Sequence, residues 1–295
     1  MPHDNLLILA ADQRPWLTKA LFDHTDAATA QQRAITTEAK HLILEGLLAA
    51  TKADAVTGAA ILVDPELGPG VPERALANGV PLALPIERAG RRLYETEPEN
   101  LREYLQAFAP RYSKVLVRYN PADSDEERAL QRERLAEASA ISRDEGCEFL
   151  FELLVPPSQE QLAEVDGDAE RYAWELRPEL TRQAMAEIAD QVGVDVWKLE
   201  HQGDVDSSRK TVELAWSGGA ECILLGAGGD IETVKSWLEI AAQAGFIGFA
   251  IGRSIWWEAV QQLAAAPTDS DVRARSLAKI VATYTEFVTA FTRAQ

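Results

Sequence analysis

The stretch Leu6-Leu7-Ile8-Leu9-Ala10-Ala11-Asp12-Gln13-Arg14-Pro15 reads as an apolar strand that ends on an acid and turns without a glycine. A doubly wound sheet usually carries a Gly-rich phosphate loop directly after its first strand. The turn Asp12-Gln13-Arg14-Pro15 argues against that architecture. The same apolar texture recurs along the chain at Ala55–Asp64, Pro81–Glu87, Lys114–Asn120, Glu148–Val155, Val194–Glu200, Cys222–Gly226 and Gly248–Gly252. Short, nearly continuous apolar runs are what parallel strands covered on both faces require. Charged segments with helical periodicity lie between them, such as Glu126–Arg143 and Asp230–Ala244, the latter stopped by Gly245. Eight strands, each followed by a helix, predict a (β/α)8 TIM barrel. The 295 residues leave room beyond the roughly 250 of that fold for an insertion and a closing helix.

The insertion is expected after strand five, at Pro156–Glu175, where the sequence is acidic and polar and contains Pro156-Pro157. It is too long for a plain connection and reads as a lid or a surface insertion. Asp269–Arg293 reads as the C-terminal helix, with Leu277, Ile280, Val281, Tyr284, Phe287 and Val288 on its buried side. No linker or internal repeat interrupts residues 1–295, so one barrel domain is expected.

A 46% hydrophobic content, with seven Trp, eight Phe and six Tyr, excludes disorder. Two cysteines, Cys147 and Cys222, cannot staple a chain of this size and read as small core residues in a reducing compartment. Leu6–Ala11 is too short for a signal peptide and has no basic leader, and no apolar run reaches membrane-spanning length; a cytoplasmic location is expected. The net charge of −18 repels nucleic acid and anionic lipid, so neither is an expected partner. An anionic small molecule would need a local positive site.

In a barrel, function sits at the C-terminal ends of the strands. Those ends carry Asp12, Asp64, Glu87, Arg118, Asn120, Glu152, Lys198, Glu200 and Arg253. A single strand-end acid is ordinarily a cap or an ion-pair partner; the constellation is more informative. Of eight lysines, Lys114 and Lys198 lie within strands, where an ammonium is costly unless paired or deprotonated. Strand alternation puts Val194, Val196, Lys198 and Glu200 on one face. The bland role for Lys198 is an ion pair with Glu200 or Glu152. The sharper one is a Schiff-base nucleophile, which must attack unprotonated; an apolar setting and a second cation such as Lys114 favour that form. Lys114, placed at the start of its strand, would have to reach up the barrel axis. Glu152 would serve as general acid/base and Asp12 as the base for a substrate hydroxyl.

Leu225-Gly226-Ala227-Gly228-Gly229-Asp230 and Ile251-Gly252-Arg253-Ser254 each end a strand and open a helix. Glycine-rich backbone at two adjacent helix N-termini, with one arginine, predicts a phosphate site at Gly228, Gly229, Gly252 and Arg253. No metal or other cofactor is expected. A zinc site needs about three converging ligands such as histidine, and His3, His24, His41 and His201 are scattered along the chain.

The segments Ala11-Asp12-Gln13-Arg14, Ile61–Gly68 and Trp197-Lys198-Leu199-Glu200, with the Lys114 and Glu152 strands, resemble the class I tagatose-bisphosphate and sulfofructose-phosphate aldolase group. Lys114–Pro121, Phe151–Pro156 and Gly245–Arg253 are more similar still to the aldolase-like domain fused to 5-dehydro-2-deoxygluconokinase in inositol catabolism. The resemblance implies Lys198 as Schiff-base lysine, Glu152 as acid/base, Lys114 as assistant and Asp12 as the aspartate, with phosphate held around Gly228 and Arg253. Its aldolases carry a serine where this chain has Gly226.

The resulting expectation is a metal-independent class I aldolase acting on a phosphorylated keto sugar acid. The favoured substrate is 6-phospho-5-dehydro-2-deoxygluconate, cleaved to dihydroxyacetone phosphate and malonate semialdehyde. Gln13, Glu87 and Arg14 would contact it, with Arg14, Arg88 or Arg118 clamping the far carboxylate. Tagatose or fructose bisphosphate and sulfofructose phosphate are alternatives. A phosphosugar isomerase or epimerase using Glu87 and Glu152, and a non-catalytic sugar-phosphate-binding barrel, are readings from other classes. Trp256-Trp257 hints at an interface and a homo-oligomer.

Overall fold

Two-residue alternation divides each strand into a row facing the barrel axis and a row facing the helices. The computed structural model, which describes residues 5–23, 28–54 and 56–295, shows both rows filled. The strands are β1 (Leu6–Ala11), β2 (Ala59–Val63), β3 (Leu82–Pro85), β4 (Tyr112–Arg118), β5 (Glu148–Leu154), β6 (Val196–Leu199), β7 (Glu221–Leu225) and β8 (Gly248–Ile251). They pair in parallel, in chain order, into a closed barrel, β8 returning to β1. Leu6, Ile8, Ala10, Ala60, Leu62, Ala83, Tyr112, Leu150, Val196, Ile223 and Ala250 form the axial core. The outward row, including Leu7, Leu9, Phe149, Phe151, Trp197 and Phe249, packs against the helices in a larger core that also takes in Cys147 and Cys222.

The predicted runs all contain strands, with shifted ends. β2 begins at Ala59 rather than Ala55, a residue outside those described. β4 begins two residues early, so Lys114 is its third residue, not its first.

The helix Ser270–Ala294 starts on Asp269, whose carboxylate accepts the Asp271 and Val272 amides. It buries Ile280, Tyr284, Phe287 and Phe291; burying such a side chain contributes about 1.5–3 kcal/mol before entropy is charged against it. Tyr284 also ties the helix to β1 by donating its hydroxyl to the Leu7 carbonyl at 2.8 Å.

Pro156–Glu175 is not a bare loop. It holds the short helices Gln159–Glu164 and Ala169–Arg171 and enters a π-helical turn, Tyr172–Leu176. Ser158 and Gln161 cap the first of these reciprocally, and the Tyr172 hydroxyl is anchored to the Val155 carbonyl at 2.8 Å.

Trp256 corrects the interface expectation. It is fully buried, with its indole N–H on the Ala10 carbonyl at 2.8 Å. Trp257 turns back onto Trp16, ring centroids 4.9 Å apart. Among the described residues no helix is long and apolar enough to cross a membrane.

Candidate functional site

The inward rows that carry the axial core continue upward into charge. Two residues beyond Ala10 is Asp12, and two beyond Tyr112, Leu150 and Val196 are Lys114, Glu152 and Lys198. Glu152 and Lys198 are register partners on adjacent strands. Lys114 pairs in register with Leu150, two residues below Glu152. That offset is roughly 7 Å along a strand, and the lysine stem spans it. The fully buried Lys114 ammonium thereby meets three carboxylates: Asp12 Oδ2 at 2.7 Å, Glu152 Oε2 at 2.9 Å and Glu87 Oε1 at 3.2 Å. Lys198 Nζ lies 3.0 Å from the same Glu152 Oε2.

This network separates the carboxylates into two kinds. Burial opposes the charge on Asp12, but Lys114, Lys198 and Lys40 outweigh it and hold the carboxyl well below its ordinary range. Glu152 behaves likewise, its burial overcome by Lys114 and Lys198. Glu87 goes the other way: burial dominates Lys114 and Arg14 and raises its pKa. Burial also raises Glu200, despite the Arg177 guanidinium at 2.7 Å. Lys114, burial notwithstanding, is held firmly protonated by Asp12, Glu152 and Glu87.

Above the cluster opens a cavity of about 540 Å³. Asp12, Gln13, Arg14, Glu87, Lys114, Arg118, Glu152, Lys198 and Arg253 all line it. Five arginines and two lysines against four carboxylates make this a cationic mouth on a strongly anionic protein. Leu116, Leu154 and Leu225 supply apolar wall. No residue of Pro156–Glu175 lines it.

The two glycine turns are not equivalent. Asp230 caps the helix Ile231–Ala244 with its own carboxylate, accepting the Thr233 amide at 3.0 Å, so that N-terminus is already engaged. Gly229 is likewise spent, its N–H on the Gly226 carbonyl and its own carbonyl on the Ser254 hydroxyl. Gly252 lets the barrel wall close, since a Cβ there would stand 2.2 Å from the Ala10 carbonyl oxygen. The anion-ready part is therefore narrower than the sequence suggested. It comprises the exposed Ala227-Gly228 corner, the start of the helix Arg253–Ala265 and the Arg253 guanidinium. Gly228 has φ 77°, and a Cβ on it would lie 2.9 Å from that guanidinium. Trp16 backs Arg253, its ring centroid 5.0 Å from Cζ. A side chain at Gly226 would press on Ile251, with 2.9 Å between Cβ and Cγ2.

Arg14 lines the cavity but is not a free clamp. It is buried, and its guanidinium binds the Glu87 carbonyl at 2.8 Å and Glu87 Oε1 at 3.4 Å. Arg88 pairs with Glu97 at 3.2 Å, whereas Arg118 stands exposed on the wall. His201 is stacked between Trp174 and Trp237, both centroids 4.7 Å away, and His41 bonds the Pro69 carbonyl; His3 and His24 lie outside the described residues. Among the described residues no three His, Cys, Asp or Glu side chains are grouped to hold a metal ion. The sequence reading missed Trp16, Arg91 and Lys40. Trp16 and Arg91 follow arginines already singled out. Lys40 left a trace, because Thr36, Ile43, Leu44 and Leu47 at helical spacing from it are all fully buried.

Fold and mouth together define a (β/α)8 barrel with a buried lysine–carboxylate cluster under a cationic rim. A family model described as "Uncharacterized protein conserved in bacteria (DUF2090)" matches residues 1–295, and the chain belongs to that family. No curated protein matches it. Among solved structures, fructose-bisphosphate aldolase from Plasmodium falciparum superposes with a TM-score of 0.67 at 13% identity, covering 98% of this chain and 91% of the other. An archaeal fructose-1,6-bisphosphate aldolase, its catalytic lysine bound to a carbinolamine intermediate, gives 0.59 at 16% identity over 96% and 94%. A Schiff-base-forming fructose-1,6-bisphosphate aldolase gives 0.57 at 17% over 94% of each chain. At these identities the likeness is one of fold.

Proposed function

We propose that this barrel is a class I aldolase in which Lys198 forms a Schiff base with a phosphorylated ketose or keto sugar acid. The observation that carries the reading is the sharing of Glu152 Oε2 by Lys198 and Lys114 at the floor of the cationic cavity. The Lys198 amine, unprotonated, adds to the substrate ketone, and the resulting carbinolamine loses its hydroxyl as water with a proton delivered through Glu152. The iminium then acts as electron sink. Asp12, ionised and fixed by Lys114, takes the proton of the hydroxyl β to it. The carbon–carbon bond breaks, an aldehyde departs, and the electron pair becomes an enamine on Lys198. Protonation of the enamine and hydrolysis of the iminium release the ketone and restore the amine. Lys114 has no free role as nucleophile, because three carboxylates hold its proton.

The substrate we favour is 6-phospho-5-dehydro-2-deoxygluconate, its phosphate at Ala227, Gly228 and Arg253 and its carboxylate toward Arg118. Ketose bisphosphates and sulfofructose phosphate share the phosphate-bearing half. The neighbours whose fold this chain shares include aldolases that use a lysine in this way, which supports the reading. An isomerase working through Glu87 and Glu152 leaves Lys198 without a task.

The test is a turnover assay on that panel of ketose phosphates, following release of dihydroxyacetone phosphate, in wild type and Lys198→Met. Cleavage by the wild type alone supports the proposal. Cleavage of none of the panel, or equal rates in both proteins, contradicts it.

A further inference from the structure

Lys40 is a third buried lysine, and it does not line the cavity. It stands on the helix Ala30–Asp54 and pairs with Asp64, which follows β2; Asp64 Oδ2 in turn accepts the Leu67 amide at 2.8 Å. Its other contact is to backbone: Nζ donates to the Gln13 carbonyl at 3.2 Å. Gln13 is the centre of the turn whose flanking side chains, Asp12 and Arg14, reach Lys114 and Glu87.

A buried ion pair is a poor device for stability, because an apolar pair of the same volume holds the space about as well. An apolar pair cannot donate to a carbonyl at the exit of β1. Asp12 is faced by Lys114 from β4, Lys198 from β6 and Lys40 from the helix, with Glu87 and Glu152 opposing them. Lys40 itself is faced by Asp64, Asp12 and Arg14.

We infer that Lys40, held by Asp64, is a positioning residue that fixes the Asp12-Gln13-Arg14 turn through the Gln13 carbonyl. Its kinetic consequence rests on the aldolase reading; its hold on the turn does not.

The test uses Lys40→Met/Asp64→Asn, which removes both charges at nearly constant volume, with Lys40→Gln as a second variant should the first not fold. Backbone amide exchange of the Asp12-Gln13-Arg14 turn is followed by mass spectrometry without substrate. The kinetics of ketose phosphate cleavage are then measured. The inference expects the turn to exchange about tenfold faster or more in the variant while β1 keeps its protection. It also expects kcat to fall about tenfold or more, with KM little changed. Unchanged exchange of the turn in a folded variant overturns it, whether or not the wild type proves to be an aldolase. A wild type that cleaves no ketose phosphate sinks the aldolase reading alone, since the exchange measurement still decides the part played by Lys40.

Discussion

Lys114 and Lys198 bring their Nζ atoms to one oxygen, Glu152 Oε2, at 2.9 and 3.0 Å. Two buried lysines on one carboxylate oxygen make Glu152 the joint of the site. Removing its charge leaves two lysines with a shared loss. Glu152→Gln is expected to slow Schiff-base formation by roughly 10²–10⁴-fold, the usual contribution of a positioned acid/base. Stopped-flow borohydride trapping checks this; a trapping rate like the wild type's contradicts it.

The opposed carboxylates give a sign for pH. Asp12 and Glu152 are depressed in the fold, so the stability they supply is present above their unfolded values and is lost as pH falls through the folded ones. Glu87 is raised, so its contribution is present below its unfolded value and is lost as pH rises through the folded one. Glu87→Gln should therefore gain in melting temperature relative to wild type as pH rises from 5 to about 8. A difference that does not change with pH, or changes the other way, argues against this assignment.

Burial, with help from the Arg177 guanidinium, pushes the His201 imidazole down to about 4 between Trp174 and Trp237. The unfolded chain takes up that proton near pH 6.5, so the fold loses stability as pH drops from there toward 4. His201→Phe keeps the stack and should flatten that part of the denaturation profile. Equal slopes in the two proteins would count against a buried neutral imidazole.

Gly228→Ala puts a methyl group 2.9 Å from the Arg253 guanidinium at a residue with φ 77°. The strain is about 1 kcal/mol, and the larger effect is displacement of Arg253. KM for a phosphorylated ketose should rise, while Schiff-base formation with unphosphorylated dihydroxyacetone stays as it was. Equal losses on both ketones would remove Arg253 from the phosphate site. Because the ring of Trp16 lies against Arg253, phosphate binding should also change tryptophan fluorescence, and Trp16→Phe should abolish that change.

What the sequence disclosed follows from how each residue is embedded. All eight strands were legible because both faces are covered, which writes apolar runs such as Phe149–Leu154 directly into the chain. Lys198 stood out for the same reason, as a cation inside such a run. Lys40 did not, because a lysine on a helix is ordinarily solvated, and Ile43, Leu44 and Leu47 at helical spacing from it are a faint sign of its burial against Asp64. The glycine turns are less plain: Asp230 in Gly229-Asp230-Ile231 is an ordinary N-cap signal, and its carboxylate accepts the Thr233 amide at that helix start. Trp256 beside Trp257 suggested an exposed pair, but helical geometry turns neighbours to different sides, and Trp256 reaches the Ala10 carbonyl in the core.

The central claim is a covalent bond to one amine, and trapping that bond tests it most directly. The protein is incubated with dihydroxyacetone phosphate, reduced with borohydride, digested and read by peptide mass spectrometry. The account predicts one reduced adduct, on the peptide containing Lys198, lost in Lys198→Met. No adduct, or adducts confined to exposed lysines such as Lys210, would contradict it.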